Sequence, residues 1–184
     1  ATSFSLLPLA AALATLFALP AHAQNFTVGA GTTDTAGKVI AGGTGVVEAG
    51  GTISTSAGTR GVRIRNGVTQ LTNAGTIEQT GTGRAIDVDG TNADVHILNS
   101  GLITSSGAQV IRFDSASTKQ VLDNQGTLWH TGTDVGGERA IKADGAYTTT
   151  GNQIINGSDT NRAAVIRSNG NDAIRLGNNF TLTN

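Results

Sequence analysis

Cysteine and methionine are absent from this 184-residue chain, and proline occurs only twice and tryptophan once. Without cysteine there is no disulfide framework, no thiolate metal site and no sulfur nucleophile, so stability has to come from another source. Aromatic residues make up 4% of the chain and charged residues 14%; 12 Lys and Arg against 13 Asp and Glu leave a net charge of −1. Such a balance gives no field to draw in nucleic acid or an anionic membrane. Histidine is scarce too. Beyond His22 there are only His96 and His130, too few and too scattered for a metal set or for a Ser-His-Asp arrangement. What is abundant is glycine, 26 residues of it, among Thr, Asn, Ser, Val and Ile. Gly costs about 1 kcal/mol relative to Ala inside a helix, and the β-branched residues favour strands, so the composition points to short strands joined by turns.

Residues 1–23 follow other rules. An uncharged run from Leu6 to Leu19 closes on Ala21-His22-Ala23, the small-x-small form of a signal-peptidase site. We expect cleavage between Ala23 and Gln24. The run is shorter than the ~20 apolar residues a spanning helix needs, and Pro8 and Pro20 interrupt it.

From Gly51 onward a phrase returns: Gly51-Thr52-Ile53, Asn73-Ala74-Gly75-Thr76-Ile77, Asn99-Ser100-Gly101-Leu102-Ile103 and Asn124-Gln125-Gly126-Thr127-Leu128. Its glycines stand 24, 26 and 25 positions apart, the signature of one supersecondary unit stacked along an axis. Three apolar strands align in each unit. The first carries Ile53, Ile77, Ile103, Leu128 and Ile166. The second carries Val62-x-Ile64, Ile86-x-Val88, Ile111-x-Phe113, Ile141-x-Ala143 and Ile174-x-Leu176. The third carries Leu71, Ile97, Leu122, Ile154 and Leu182. The x positions of the second strand are Arg63, Asp87, Arg112, Lys142 and Arg175, a period of two that turns one row inward and the next outward. The pattern predicts an all-β fold: a parallel, right-handed β-helix of about five coils, three short strands each, over residues 43–184. Residues 24–42, Gly- and Thr-rich without a complete unit, read as an amino-terminal cap or irregular segment.

Asn73, Asn99, Asn124 and Asn156 recur at the turn before the first strand, with Asn184 in phase. Asn tolerates left-handed turn geometry, and stacked amides can bond along the axis, so these residues read as a structural turn ladder. Asp89, Asp114 and Asp144 form a similar column; carboxylates about 4.8 Å apart could share calcium, but the reading preferred is a turn. In the outward row, Asp87 is expected between the guanidinium groups of Arg63 and Arg112, as a solvated surface ladder. Trp129 and His130 precede an excursion over Thr131–Gly137, with a second enlargement at Asn156–Arg162. Insertions in solenoids map to surface loops, which makes Trp129 and His130 the candidate partner contact. No catalytic or cofactor-binding residue is assigned, and no metal ligand.

The recurrent Asn-x-Gly-Thr-Ile, together with Arg84-Ala85-Ile86, Arg139-Ala140-Ile141 and Asp172-Ala173-Ile174, resembles the passenger domains of bacterial autotransporters over roughly Gly42 to Asn184. The resemblance implies export through the periplasm, passage through an outer-membrane β-barrel translocator in a carboxy-terminal part of the same protein, and display at the cell surface or release. The repeat is specific for a β-helical surface protein and unspecific for any activity; with no catalytic constellation in the sequence, the expectation is a non-enzymatic β-helical stalk or adhesin scaffold, without cofactor, that meets a host-cell or matrix surface. The sequence stops where another Gly-Thr-Ile would begin, so it is expected to be the amino-terminal piece of a longer protein. A fragment of a β-helical polysaccharide lyase or hydrolase, with Arg112 as a candidate base, is the alternative.

Overall fold

Alternation with a period of two leaves each short strand with one apolar row, and a strand of three or four residues cannot bury that row alone. Stacking copies solves the problem. In the computed structural model, which describes residues 24–113, 119–133, 138–145 and 147–184, the three strand sets stack into three parallel sheets. The first sheet contains Thr33–Asp34, Thr52–Thr55, Thr76–Gln79, Leu102–Ser105, Thr127–His130 and Val165–Ser168. The second contains Lys38–Ile40, Val62–Ile64, Ile86–Val88, Ile111–Arg112, Ile141–Ala143 and Ile174–Leu176. The third contains Phe26–Val28, Thr44–Val47, Gly67–Asn73, Asn92–Asn99, Lys119–Asn124, Asn152–Asn156 and Phe180–Thr183. The fold is a parallel β-solenoid, with about five coils in residues 43–184 and no helix among the described residues.

The register follows the sequence repeat, with a bulge between Asn92 and Val95 in the third sheet. Ile53, Ile77, Ile103, Leu128 and Ile166 are successive partners in the first sheet. Val62, Ile86, Ile111, Ile141 and Ile174 are partners in the second. Leu71, Ile97, Leu122 and Ile154, with Leu182 above, are partners in the third. From Ile53 to Ile154 these side chains are fully buried and form one continuous core, against which Ile166, Ile174, Leu176 and Phe180 pack with partial cover. A slip of one residue in any strand would turn this row out to solvent, so the register is fixed by burial.

Residues 24–42, expected as an amino-terminal cap or irregular segment, form regular strands. Phe26–Val28, Thr33–Asp34 and Lys38–Ile40 pair in parallel with Thr44–Val47, Thr52–Thr55 and Val62–Ile64, so the segment winds a further coil. Val28 and Ile40 supply its inward apolar groups. Residues 1–23, including the cleavage residues Ala21 and Ala23, lie outside the described residues, as do Asp114 and residues 134–137 of the Trp129 excursion; Gln24 is exposed, and its backbone N–H donates to Ala41 O at 3.4 Å.

The recurrent glycine has a steric cause. A Cβ on Gly75, Gly101 or Gly126 would fall closer than 3.0 Å to the carbonyl oxygen of Gly51, Gly75 or Gly101 in the coil before. Each glycine is thus the contact point at which one backbone crosses the last. Tyr147 packs inside: it donates from its hydroxyl to Phe113 O at 3.1 Å, and its ring meets that of Phe180 edge to face at 4.8 Å.

Candidate functional site

Two ladders define what this solenoid presents, one inside a corner and one on a face. The inner ladder is made of asparagine. Asn73 Nδ2 donates to Asn99 Oδ1 at 2.7 Å, Asn99 to Asn124 at 2.7 Å, Asn124 to Asn156 at 2.7 Å and Asn156 to Asn184 at 2.6 Å. Each of the first three amides also donates to the glycine carbonyl two residues on, at Gly75, Gly101 and Gly126. The expected turn ladder is therefore an axial hydrogen-bonded column. Its backbone explanation needs correction: Asn73, Asn99, Asn124 and Asn156 are the last residues of their strands, and the non-glycine left-handed positions among the described residues are Ala57, Asn66 and Asn179. The amide is selected for its paired donor and acceptor, not for its turn geometry.

The outer ladder runs up the second sheet. Arg63, Asp87, Arg112, Lys142 and Arg175 are successive register partners, the outward row the sequence predicted. Beside it, two residues before each second-sheet strand, stand Arg60, Arg84, Gln109, Arg139 and Asp172 at the corner. Nine of the chain's twelve cationic side chains (Lys38, Arg60, Arg63, Arg65, Arg84, Arg112, Arg139, Lys142 and Arg175) lie in or within three residues of this sheet. Five described acidic residues share that stretch: Asp87, Asp89, Glu138, Asp144 and Asp172.

At its centre is Asp87. Its side chain is fully covered, receiving Arg112 Nε on Oδ1 at 2.8 Å and Arg60 Nε on Oδ2, with Arg84 Nη1 at 3.7 Å. The expected sandwich between Arg63 and Arg112 is corrected on one side. Arg63 reaches past its register partner to Asp89, which offers both carboxylate oxygens to the fork at 2.7–3.0 Å, and the hydrogen bond to Asp89 holds the Arg63 pKa above its ordinary value. The corner arginines take the place left open. Arg84 Nε donates to Gln109 Oε1 at 2.7 Å, and Gln109 in turn donates to Glu138. Burial, more than any other cause, pushes the Arg84 pKa down; Asp87 opposes this, while Arg112 and Arg60 add to it through like-charge repulsion. Three cations around Asp87, with Glu138 also acting on Arg84, still leave positive charge in excess at a partly exposed surface.

The corner arginines were missed because sequence reading followed the alternating strand residues and stopped at their ends. Their signal was present as a fixed offset, two residues before Val62, Ile86, Ile111, Ile141 and Ile174.

Of the calcium candidates, Asp89 is held by Arg63 and Asp144 by Arg175 at 3.1 Å. Among the described residues no three metal-ligating side chains converge. Trp129 and His130 part company. Trp129 faces outward on the first sheet, with the Arg167 guanidinium 3.6 Å above its ring and Nε1 donating to Asn169 Oδ1 at 3.1 Å. His130, one residue on, turns inward as strand alternation dictates; it is fully buried, with Nδ1 3.2 Å from Ser168 Oγ, and offers no surface to a partner. The expected contact is thereby reduced to Trp129. His96 faces solvent, as its place between Val95 and Ile97 predicted. The enlargement after Asn156 closes as a turn, in which Ser158 N–H donates to Asn161 O and Asn161 Nδ2 reaches back to Gln125 O, both at 2.8 Å.

Together these features define the class: a parallel β-solenoid with an asparagine spine at one corner and a cation-rich face. Comparisons with protein-family models, with curated proteins and with solved structures gave no match.

Proposed function

We propose that this chain is the amino-terminal part of an exported surface protein in which the solenoid acts as a non-enzymatic stalk or adhesin scaffold of the autotransporter-passenger type. The observation that carries the reading is the register of three sheets kept from coil to coil, with a bulge between Asn92 and Val95 in the third, which turns outward positions into regularly spaced rows along one axis. Rows of that kind suit spacing and multivalent contact better than a single reaction centre. Among the described residues the exposed large apolar ones, Val39, Val68, Val165 and Leu182, are few, in keeping with a face that stays in water. In this reading residues 1–23 direct export with cleavage before Gln24. An outer-membrane β-barrel in a later part of the same protein carries the passenger to the surface, and a host-cell or matrix surface is the partner. Arg112, the residue a lyase would use as base, has its Nε engaged with Asp87 at 2.8 Å, so that nitrogen is committed to an ion pair within the protein.

The test uses the full reading frame expressed in its bacterial host. Protease added to intact cells should remove the passenger, and the released protein should bind immobilised matrix or host cells saturably without altering an acidic polysaccharide incubated with it and calcium. Appearance of unsaturated sugar products, lost in Arg112→Ala, would replace this reading with a lyase.

A further inference from the structure

The stalk reading leaves one feature without a role: three arginines gathered on a single carboxylate when a single arginine would pair it. We propose that the Arg60–Arg84–Arg112 cluster is a binding site for an oxyanion, the sulfate or carboxylate group of an acidic polysaccharide lying along the second sheet. This deepens the surface-scaffold reading and rests on it.

The argument begins with donors. Three guanidinium groups carry about fifteen N–H bonds, whereas one carboxylate offers roughly four lone-pair sites and the Gln109 carbonyl about two more. Asp87 receives the two Nε atoms of Arg60 and Arg112 and has Arg84 Nη1 at 3.7 Å, so it organises the cluster from below without saturating it. Fully covered itself, Asp87 fixes the guanidinium planes, while the arginine side chains keep 36%, 26% and 30% of their surface open, for Arg60, Arg84 and Arg112 respectively. Positioned donors that face water and carry surplus charge make a receptor for an oxyanion, since planar forks match carboxylate and sulfate oxygens two at a time.

Repetition supplies the second line of argument. Lys142 and Arg175 continue the same outward row at successive rungs, Arg175 half exposed beside Asp144, whereas Arg139 in the corner row is nearly buried and tied to Asp172. Rungs of a parallel sheet stand about 4.8 Å apart, so an anion held at Asp87 has further cations along the same line within the reach of neighbouring sugar units. A small isolated anion would use one rung. A polymer with regularly placed charges uses several, and gains effective concentration from each.

The experiment measures binding of the full chain, by calorimetry, to three probes of matched length: a sulfated dextran oligosaccharide, an oligogalacturonate and neutral dextran. Binding of either charged probe, with none to neutral dextran, is expected, and the stronger of the two identifies the oxyanion. Arg60→Gln with Arg84→Gln should weaken that binding at least tenfold. Because the pair could also disturb folding, Asp87→Asn supplies the opposite sign. It removes the resident carboxylate while keeping an amide acceptor, so affinity should rise about tenfold even as the melting temperature falls. Lys119→Gln, at an exposed position on the third sheet, should change neither. Unchanged or weaker binding in folded Asp87→Asn would overturn the site, and equal affinity for duplex DNA of the same charge would overturn its assignment to a polysaccharide. Surface display, read by protease on intact cells, tests the scaffold reading separately from all of these.

Discussion

Asn99 gives its side-chain N–H to Asn124 Oδ1 at 2.7 Å while its own Oδ1 takes the N–H of Asn73 at 2.7 Å, so one buried amide is both donor and acceptor in the axial column. Replacing it by alanine strands a donor below and an acceptor above. With each unsatisfied buried group costing about 1–3 kcal/mol, Asn99→Ala should lose about 2–4 kcal/mol and lower the melting temperature by roughly 5–15 °C, measured by far-ultraviolet dichroism. Asn99→Asp should do no better, because a carboxylate keeps the acceptor and removes the donor to Asn124. Asn184→Ala should cost far less, since its bond to Asn156 is exposed.

That column shows how the sequence speaks and where it falls silent. Ile53, Ile77 and Ile103 announce their sheet because apolar burial repeats at the period of the coil, and all three become register partners. The first coil stayed hidden because its strands are two or three residues long and offer only Val28 and Ile40 as fully inward apolar groups. The Asp87 cluster was half legible. Arg112 stands on a strand and obeys alternation; Arg60 and Arg84 sit at a corner, where the chain changes direction and the period of two no longer says which way a side chain points. His130 was misjudged for the converse reason: its neighbourhood suggested a loop, whereas it is the inward member of Thr127–His130, beside the outward Trp129.

The glycine contacts give a test of how closely coils must approach. Gly101 has the Gly75 carbonyl where a Cβ would go, and both backbones are tied into ladders, Leu102 N–H to Gly75 O at 2.9 Å among them. Neither side can retreat without loss of hydrogen bonds. Gly101→Ala should therefore cost about 1–3 kcal/mol, the range of overpacking in a well-filled interior. Gly58→Ala is the control, because its Cβ would meet nothing closer than Thr82 Oγ1 at 4.0 Å and its φ is not positive. There the loss of unfolded-chain entropy should leave stability unchanged or raised by up to about 1 kcal/mol in urea titrations.

Trp129 is the single tryptophan, so its fluorescence reports one place. Arg167 covers one ring face at 3.6 Å and Asn169 holds the indole N–H. Arg167→Ala should expose that face, shift emission to longer wavelength and cost about 0.5–1 kcal/mol, the range of a surface cation–π contact. Asn169→Ala should shift emission less, since the ring keeps its cover and only the N–H turns to water. If Trp129 is a partner contact, Arg167→Ala should change affinity for the matrix, and Trp129→Ala should abolish the fluorescence and alter binding together.

The first coil carries a pH-dependent contact. Lys38 lies four residues after Asp34 and pairs with it; that hydrogen bond, aided by the Ala36 backbone N–H at 2.9 Å, lowers the Asp34 pKa from 3.8, with burial working the other way. A carboxylate whose folded value is depressed stabilises the fold above its unfolded value, and the contribution disappears as pH falls through the lowered folded value. Both side chains are about a quarter exposed, 26% for Lys38 and 23% for Asp34, which confines the pair to about 0–1 kcal/mol. Asp34→Asn should therefore melt slightly below the parent at pH 7 and converge with it as the pH drops well below 3.8. The difference at pH 7 should also shrink in about 1 M salt, where the screening length falls to about 3 Å. A gap that persists unchanged at low pH would mean that Asp34 acts through its turn hydrogen bond to Ala36, which asparagine Oδ1 fails to reproduce, and that the ion pair with Lys38 contributes nothing.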